Sequence, residues 1–315
     1  MHVWELTGLP ETWDAQLQAK LFADPIIAVI SGLGGKTWQP IHDFCGREKI
    51  PCLFPNVDDP TVNENDFYSI YYSKGVTLEA QLIAHQFKNA STQAKSHRVV
   101  QIYRQGDIGE QGAKVVQAEF EAKKTKIVSR VLKENGSGAE LAEALKDIKE
   151  EDVLLLWLRQ DDLSLLPEEV VGSRVIYMSG LMAGLENVHL PEVWKKSVRM
   201  TYPLDLPGNR KVRMNYPLGW FKVKHIPVVA ERVQSDTYLA LGILSETLMG
   251  MLDSYVRDYL VERVEDMLSR RVITGYYPRL GLAPKQRFAS KGGYIVRFEG
   301  GGGEKITPEG DWIVP

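Results

Sequence analysis

A glycine-rich turn near the N-terminus carries the residue types of a phosphate-binding loop. Residues 31–37 read SGLGGKT and follow an apolar stretch. A P-loop needs glycines so that backbone N–H groups can face the phosphates, followed by Lys and Ser/Thr for phosphate and magnesium. Lys36 and Thr37 fit this pattern, but Ile30 stands where the leading glycine should be, and no strand ending in Asp supplies the magnesium partner. The alternative is a strand-to-helix turn whose amides bind an anionic group such as a carboxylate.

Three further residues have the chemistry of metal ligands. His42, Cys45 and Cys52 could supply imidazole and thiolates to zinc, although no fourth ligand is evident. Two cysteines are too few for a disulfide scaffold. In an oxidising compartment, a disulfide between Cys45 and Cys52 would close a short loop. Otherwise both residues are buried thiols.

The sequence contains no motif of nucleophilic catalysis. There is no Gly-x-Ser-x-Gly elbow, and the six histidines are scattered. The pair Asp161-Asp162 could act as acid and base, but an acidic turn that caps the next segment is the favoured interpretation. We therefore predict a protein that is not an enzyme and has no metal or cofactor. The alternatives are a nucleotide-dependent enzyme using Gly34 to Thr37, and a ligand-free regulatory or interaction relative.

The composition is that of a globular protein with ordinary partners. The chain has 315 residues, 44% of them hydrophobic and 25% charged, which suits two lobes. A net charge of −3 does not indicate a nucleic-acid partner. The apolar run 239–252 contains Ser245, Glu246 and Thr247 and is too polar to span a bilayer.

Strand-like and helix-like segments alternate along most of the chain, which predicts βαβ units and parallel sheets. Apolar runs such as 153–158 suit strands buried on both faces. The last third is different, because a long helical pattern covers 236–267 and short strand-like pieces follow. The predicted strands are 26–30, 51–55, 68–72, 99–103, 127–131, 153–158, 175–178, 294–298 and 312–314, and the main predicted helices are 77–87, 113–123 and 139–148.

Four segments, in this order, resemble the type I periplasmic solute-binding proteins, and most closely the leucine/isoleucine/valine-binding receptors of ABC transporters. The segments are VISGLGGKTWQPI at 29–41, IPCLFP at 50–55, RQGDIGE at 104–110, and the tail from PKQRF at 284–288 through YIV at 294–296. The resemblance implies an α/β clamshell of two Rossmann-like lobes with the ligand between them. Lobe one would comprise 1–96 and 233–285, and lobe two 97–232 and 286–315.

The resemblance also implies ligand-binding positions at the carboxyl ends of the strands. The residues carried over are Lys36, Thr37, Trp38, Asn56, Asp58 and Tyr72 in lobe one, and Ile108, Arg159, Gln160, Ser179 and Gly180 in lobe two. Lys36 replaces the small hydroxyl residue of the family, Ile108 replaces an aromatic residue, and the acidic residue near Gly180 is absent. These departures favour a small polar ligand that bears a carboxylate or another anion over an amino acid. The implied partner is an ABC permease, which would respond to closure.

A last expectation concerns the start of the chain. Residues 1–5 have neither the basic nor the apolar region of a signal peptide. In the family, a first strand and helix precede the region that matches 2–6, and that strand lies centrally in the sheet, between the strands that match 3–6 and 26–30. We expect an exported, periplasmic protein whose start is truncated. The alternatives are a sheet that a strand from another chain completes, as in a homodimer, and a rearranged lobe.

Overall fold

The computed structural model divides into two compact units, which are described separately. Unit 1 comprises Met1–Lys74 and Asp205–Ser290, and unit 2 comprises Gly75–Leu204 and Lys291–Pro315. The structure describes residues 1–35, 37–61, 66–90, 98–121, 125–169, 175–283, 285–299 and 305–315.

Unit 1 contains a three-stranded parallel sheet in the order β1-β2-β3. Its strands are β1 Val29–Ile30, β2 Cys52–Leu53 and β3 Ser69–Ile70, and its helices in the first segment are α1 Trp13–Ala23 and α2 Gln39–Arg47. Both residues of β2 and of β3 are buried, as expected for a parallel sheet covered on both faces. Apolar residues of α2 and β2, among them Phe44, Cys45 and Cys52, form the core beneath the sheet.

Strand β1 is half-buried, unlike β2 and β3. It pairs with β2, and in the described residues no strand pairs with its other edge. The segment 3–6, predicted to match a strand of the family, is not a strand, although Trp4 and Leu6 pack against the core of unit 1.

Unit 2 is built on a seven-stranded sheet in the order β10-β9-β8-β7-β6-β4-β5. Five neighbouring strands are parallel, and β9 and β10 are antiparallel. The strands are β4 Val99–Arg104, β5 Ile127–Leu132, β6 Val153–Trp157, β7 Val175–Met178, β8 Val198–Tyr202, β9 Tyr294–Glu299 and β10 Lys305–Pro308, and the helices are α3 Val76–Ala90, α4 Gly109–Glu121, α5 Gly138–Ala144, α6 Gln160–Leu163, α7 Gly180–Ala183 and α8 Glu192–Lys195. The mixed α/β class with mainly parallel sheets is therefore confirmed. The glycine run 300–303, expected to form a hairpin or loop, lies outside the described residues.

The boundaries between the units differ from the predicted lobes. The chain first passes from unit 1 into unit 2 at residue 75, and not at the predicted residue 97. The reason is that α3 packs on α4 and on β8 and so belongs to unit 2. The predicted second crossing at 233 falls at 205. The third falls after Ser290, not after residue 285.

The second boundary differs from the predicted one because the sequence pattern did not predict the helix that begins at Pro207. Unit 1 also contains α9 Pro207–Val223, α10 Glu231–Gly250 and α11 Arg257–Arg270, and α9 packs on α10. Pro217 lies inside α9 and obscures its pattern, because proline is unfavourable in a helix interior. The helical pattern over 236–267 proves to be two helices with a turn between them. Among the described residues, no helix combines the length and apolar character needed to cross a membrane.

Candidate functional site

The glycine-rich turn after β1 is shaped by packing. A Cβ atom on Gly32 would lie 2.3 Å from Cη2 of Trp38, and one on Gly34 would lie 2.4 Å from Cγ1 of Val57. The amide of Gly34 donates to the carbonyl of Asn56 over 3.2 Å, and the amide of Asn56 donates to the carbonyl of Gly32 over 2.8 Å. The glycines are therefore accounted for by close contact with Trp38 and Val57, and the Gly34 amide is not available to a phosphate. Lys36 lies outside the described residues.

The carboxyl ends of the three strands of unit 1 meet the first turns of α10. Ser31 directly follows β1, and its hydroxyl oxygen lies 2.6 Å from the hydroxyl oxygen of Thr237. The side-chain amide of Asn56 donates to the same Ser31 hydroxyl over 2.9 Å. The predicted residue Asn56 is thus placed beside two polar residues, Ser31 and Thr237, that the sequence analysis did not select.

A charged pair lies at the same edge. Arg232 on α10 forms an ion pair with Asp58 at 3.1 Å, and each side chain is 30% exposed. Burial lowers the pKa of the Arg232 guanidinium, but the charges of Asp58 and Asp236 outweigh this effect, so the pKa is raised above its usual value. The Arg232 guanidinium is therefore charged at neutral pH, and the pair is accessible to solvent.

Asp236 on α10 is almost fully buried, at 1% exposure. Its Oδ2 accepts a hydrogen bond from the Tyr277 hydroxyl over 3.3 Å, and its Oδ1 has no hydrogen-bond partner in the described residues. Burial raises the pKa of the Asp236 carboxyl to about 7, against the lowering effect of Arg232. A buried carboxyl with an unsatisfied oxygen and a shifted pKa is a common feature of functional sites.

Aromatic rings pack behind this acid. Tyr72, which follows β3, stacks on Phe54 at 4.6 Å and on Tyr277 at 5.0 Å between ring centroids. Its hydroxyl donates to the main-chain carbonyl of Asp236 over 2.7 Å. The predicted residue Tyr72 is therefore part of the cluster, but it is buried and acts as a support for α10.

Thr37 and Trp38, the other predicted residues of unit 1 that the structure describes, make different contacts. Trp38 is buried in the core, and the Thr37 hydroxyl accepts a hydrogen bond from the Gln39 amide over 3.3 Å. We define the unit 1 cluster as the residues that converge on α10. Its members are Ser31, Asn56, Asp58, Tyr72, Arg232, Asp236, Thr237 and Tyr277.

Among the described residues, no group of His, Cys, Asp or Glu is arranged to hold a metal ion, and His42, Cys45 and Cys52 do not form one. The ring of His42 points its Nδ1 at the Tyr71 hydroxyl, 2.8 Å away. The structure holds Cys45 and Cys52 as buried free thiols, which is one of the two alternatives that the sequence left open. A hydrogen bond with Cys45, together with burial, raises the pKa of Cys52 well above the usual value of a thiol.

In unit 2, two predicted residues follow parallel strands. Arg159, after β6, is 46% exposed and makes a bidentate ion pair with Asp107, with distances of 2.7 and 2.6 Å. Gln160 contacts His189 through its side-chain amide. Ile108 is buried in the hydrophobic core of this unit.

Glu79 forms hydrogen bonds with Ser179 and Gly180. Its carboxylate is fully buried, and it was not among the predicted site residues. Glu79 accepts hydrogen bonds from the Ser179 hydroxyl, the Gly180 amide at 2.9 Å and the Thr201 hydroxyl at 2.8 Å. The Leu181 amide donates to it over 3.0 Å. These groups therefore anchor the start of α7 within unit 2. A glutamate inside a helical pattern resembles a surface residue, so the sequence offered no signal for this role.

A surface cavity of about 320 Å³ in unit 2 contains none of the predicted residues. It lies between α3 and the C-terminal tail and is lined by His85, Gln86, Ile295 and residues 309–314. The unit 1 cluster therefore has the strongest claim to function. Asp236 begins the predicted helical pattern 236–267, whereas Arg232 precedes it, so the local pattern did not place these two charges on one helix face.

No protein-family model and no curated protein sequence matches the chain. Solved structures do share its fold. A branched-chain amino acid ABC transporter protein from Thermus thermophilus with bound valine is 11% identical, with a TM-score of 0.69 over 96% of this chain and 83% of that chain. A fatty acid ABC transporter substrate-binding protein from Thermomonospora curvata is 12% identical, with a TM-score of 0.68 over 96% and 79%.

A substrate-binding periplasmic protein from Ralstonia solanacearum is 11% identical, with a TM-score of 0.69 over 92% of this chain and 83% of that chain. These similarities show that the chain has the type I periplasmic-binding-protein fold, as the sequence resemblance implied. The first two proteins have different ligands in their names. The fold alone does not identify a ligand.

Proposed function

We propose that this protein is the solute-binding component of an ABC-type importer, that it acts outside the cytoplasm, and that it binds its ligand without turnover. The proposal is supported by the shared fold and by the unit 1 cluster. The observation that carries it is the convergence of Asp58, Arg232 and Asp236 where strands of a parallel sheet end. Ligands of open α/β sheets bind at such carboxyl ends.

The ligand that we propose is small and polar and bears a carboxylate or another anionic group. Arg232 is the cation of the cluster, and its partner Asp58 is partly exposed. A ligand carboxylate can therefore take the place of Asp58 on the guanidinium, in the bidentate geometry that arginine favours. Ser31, Asn56 and Thr237 supply neutral hydrogen-bonding groups beside it.

The test is a thermal-shift screen of carboxylates, amino acids and their amides, followed by calorimetry on any stabilising compound. A ligand at 100 times its Kd stabilises the folded protein by about 2.7 kcal/mol. Arg232→Gln should weaken binding at least tenfold. The control is Arg270→Gln, which removes an exposed ion pair with Asp266 on α11 and should leave binding unchanged.

Two results would contradict the proposal. Binding of ATP with magnesium that is lost in Lys36→Ala would favour the nucleotide-dependent enzyme. The second is that the screens find no stabilising compound and that native mass spectrometry of protein purified without refolding detects no bound ligand. That result would favour a relative that has lost its ligand. The predictions that Arg159 and Gln160 bind ligand, and that a permease recognises the complex, are tested by the corresponding variants and by transport assays.

A further inference from the structure

Helix α9 of unit 1 presents an apolar stripe to solvent. Val212, Tyr216, Trp220 and Val223 lie on one face, since their spacings of four, four and three residues follow the helical repeat. Val212 is 70% exposed and Val223 is 74% exposed. The buried face of the helix is formed by Met214, Pro217 and Phe221, together with Arg210. The helix is therefore apolar on the face away from the core as well, which is unusual for a surface helix.

The same helix is strongly basic. The segment 206–230 contains five Lys and Arg residues and no Asp or Glu. The net charge of the whole chain is −3 and that of this segment is +5, so the remaining residues have a net charge of −8. The Cζ atom of Arg210 lies 4.3 Å from the centroid of the Tyr276 ring, and Arg213 forms an ion pair with Asp205.

The other three basic residues are lysines at the borders of the stripe. Lys211 and Lys222 are exposed on one flank of α9, and exposed Lys224 follows its last turn. Within the described part of the chain, none of the three has an ion-pair partner. The apolar stripe thus has uncompensated positive charge beside it.

We propose that the α9 stripe docks on the surface of an anionic lipid bilayer. A helix with Trp, Tyr and Val on its outer face and lysines at the border has the amphipathic pattern of helices that lie in the membrane interface. The lysines match the negative charge of lipid headgroups. A second copy of the chain fits less well, because a two-fold interface through this face would bring identical lysines together.

The experiment measures sedimentation of the full chain with vesicles of phosphatidylcholine, with and without phosphatidylglycerol. The parent protein should bind the anionic vesicles, and added salt should weaken the binding. Lys211→Gln with Lys222→Gln should weaken it about 25-fold, since one lysine near an anionic surface is worth about a factor of five. Val212→Ser with Val223→Ser should weaken it about tenfold.

The matched control is Val256→Ser with Val272→Ser, two exposed valines elsewhere in unit 1, which should leave vesicle binding unchanged. Thermal unfolding verifies that each variant is folded. Equal binding to neutral vesicles, or no vesicle binding by the parent, would overturn the proposal. A dimer or an acidic protein partner that Val212→Ser with Val223→Ser dissociates, without vesicle binding, would instead identify the stripe as a protein interface.

Discussion

The Tyr72 hydroxyl donates a hydrogen bond to the main-chain carbonyl of Asp236 over 2.7 Å. This bond ties the segment after β3 to the second turn of α10, in a part of unit 1 where both residues are buried. The carboxyl of Asp236 is held in the same place by the Tyr277 hydroxyl. The position of Arg232, one turn earlier on α10, therefore depends on aromatic residues from two other segments of the unit.

Asp236 should make the stability of the protein depend on pH. Its folded pKa of about 7 lies above the usual value of 3.8, so the folded state binds the proton more tightly than the unfolded state does. The free energy of unfolding should then be highest at low pH and fall as pH rises from about 4 through 7. This group alone predicts a loss of about 2 to 3 kcal/mol between pH 5 and pH 8.

Replacing Asp236 by Asn should remove most of that slope. Urea denaturation of both proteins across this pH range measures it. Asp253→Asn, at an exposed residue, should keep the slope of the parent. The assignment is wrong if Asp236→Asn unfolds with the same pH dependence as the parent. The groups that act on the pKa of Asp236 are Arg232, Tyr277 and Asp58 of the unit 1 cluster, together with Arg210.

Glu79→Gln should destabilise unit 2 by about 2 to 4 kcal/mol. The carboxylate accepts hydrogen bonds from two backbone amides and two hydroxyl groups, and a glutamine would turn an NH₂ donor toward some of these donors. Chemical denaturation measures the loss. The exposed change Glu192→Gln serves as control. A Glu79→Gln protein as stable as that control would show that the buried charge is not needed.

Gly32→Ala should cost about 1 to 3 kcal/mol, because the added methyl group would overlap the indole of Trp38. Gly35→Ala, whose methyl group would meet no atom within 4 Å, should be nearly neutral. The double variant Gly32→Ala with Trp38→Leu should recover part of the loss, as measured by a double-mutant cycle. Additive effects would mean that Gly32 is required for a reason other than this contact.

The two cysteines should resist labelling in the folded, reduced protein. Both are buried, and the raised pKa of Cys52 keeps its thiol protonated. Labelling with a thiol reagent, followed by mass spectrometry, should modify neither residue in buffer and both in denaturant. Rapid labelling of native Cys52 would contradict the buried position. Mass spectrometry without reductant on exported protein tests whether the predicted disulfide forms there.

The local pattern of the sequence was sufficient for the parallel strands of unit 2. The runs at 99–103, 127–131 and 153–158 became β4, β5 and β6 with ends shifted by at most one residue. In β6 all five residues are apolar and buried, as expected for a strand covered on both faces, so the signal is contained in consecutive residues. Helix α9 lacked a comparable signal, since its outer face is apolar and Pro217 interrupts it.

The sequence by itself determined the α/β class, most of the strands and the turn at residues 31–37, because these depend on neighbours along the chain. It also brought Asn56, Asp58 and Tyr72 into consideration. Only the tertiary structure decided that Asp58 meets Arg232 and that Tyr72 meets Asp236 and Tyr277, which are more than 150 residues away in the chain. It also decided that Ser179 and Gly180 bind Glu79. Contacts between distant segments set burial and pKa, and a local pattern cannot specify them.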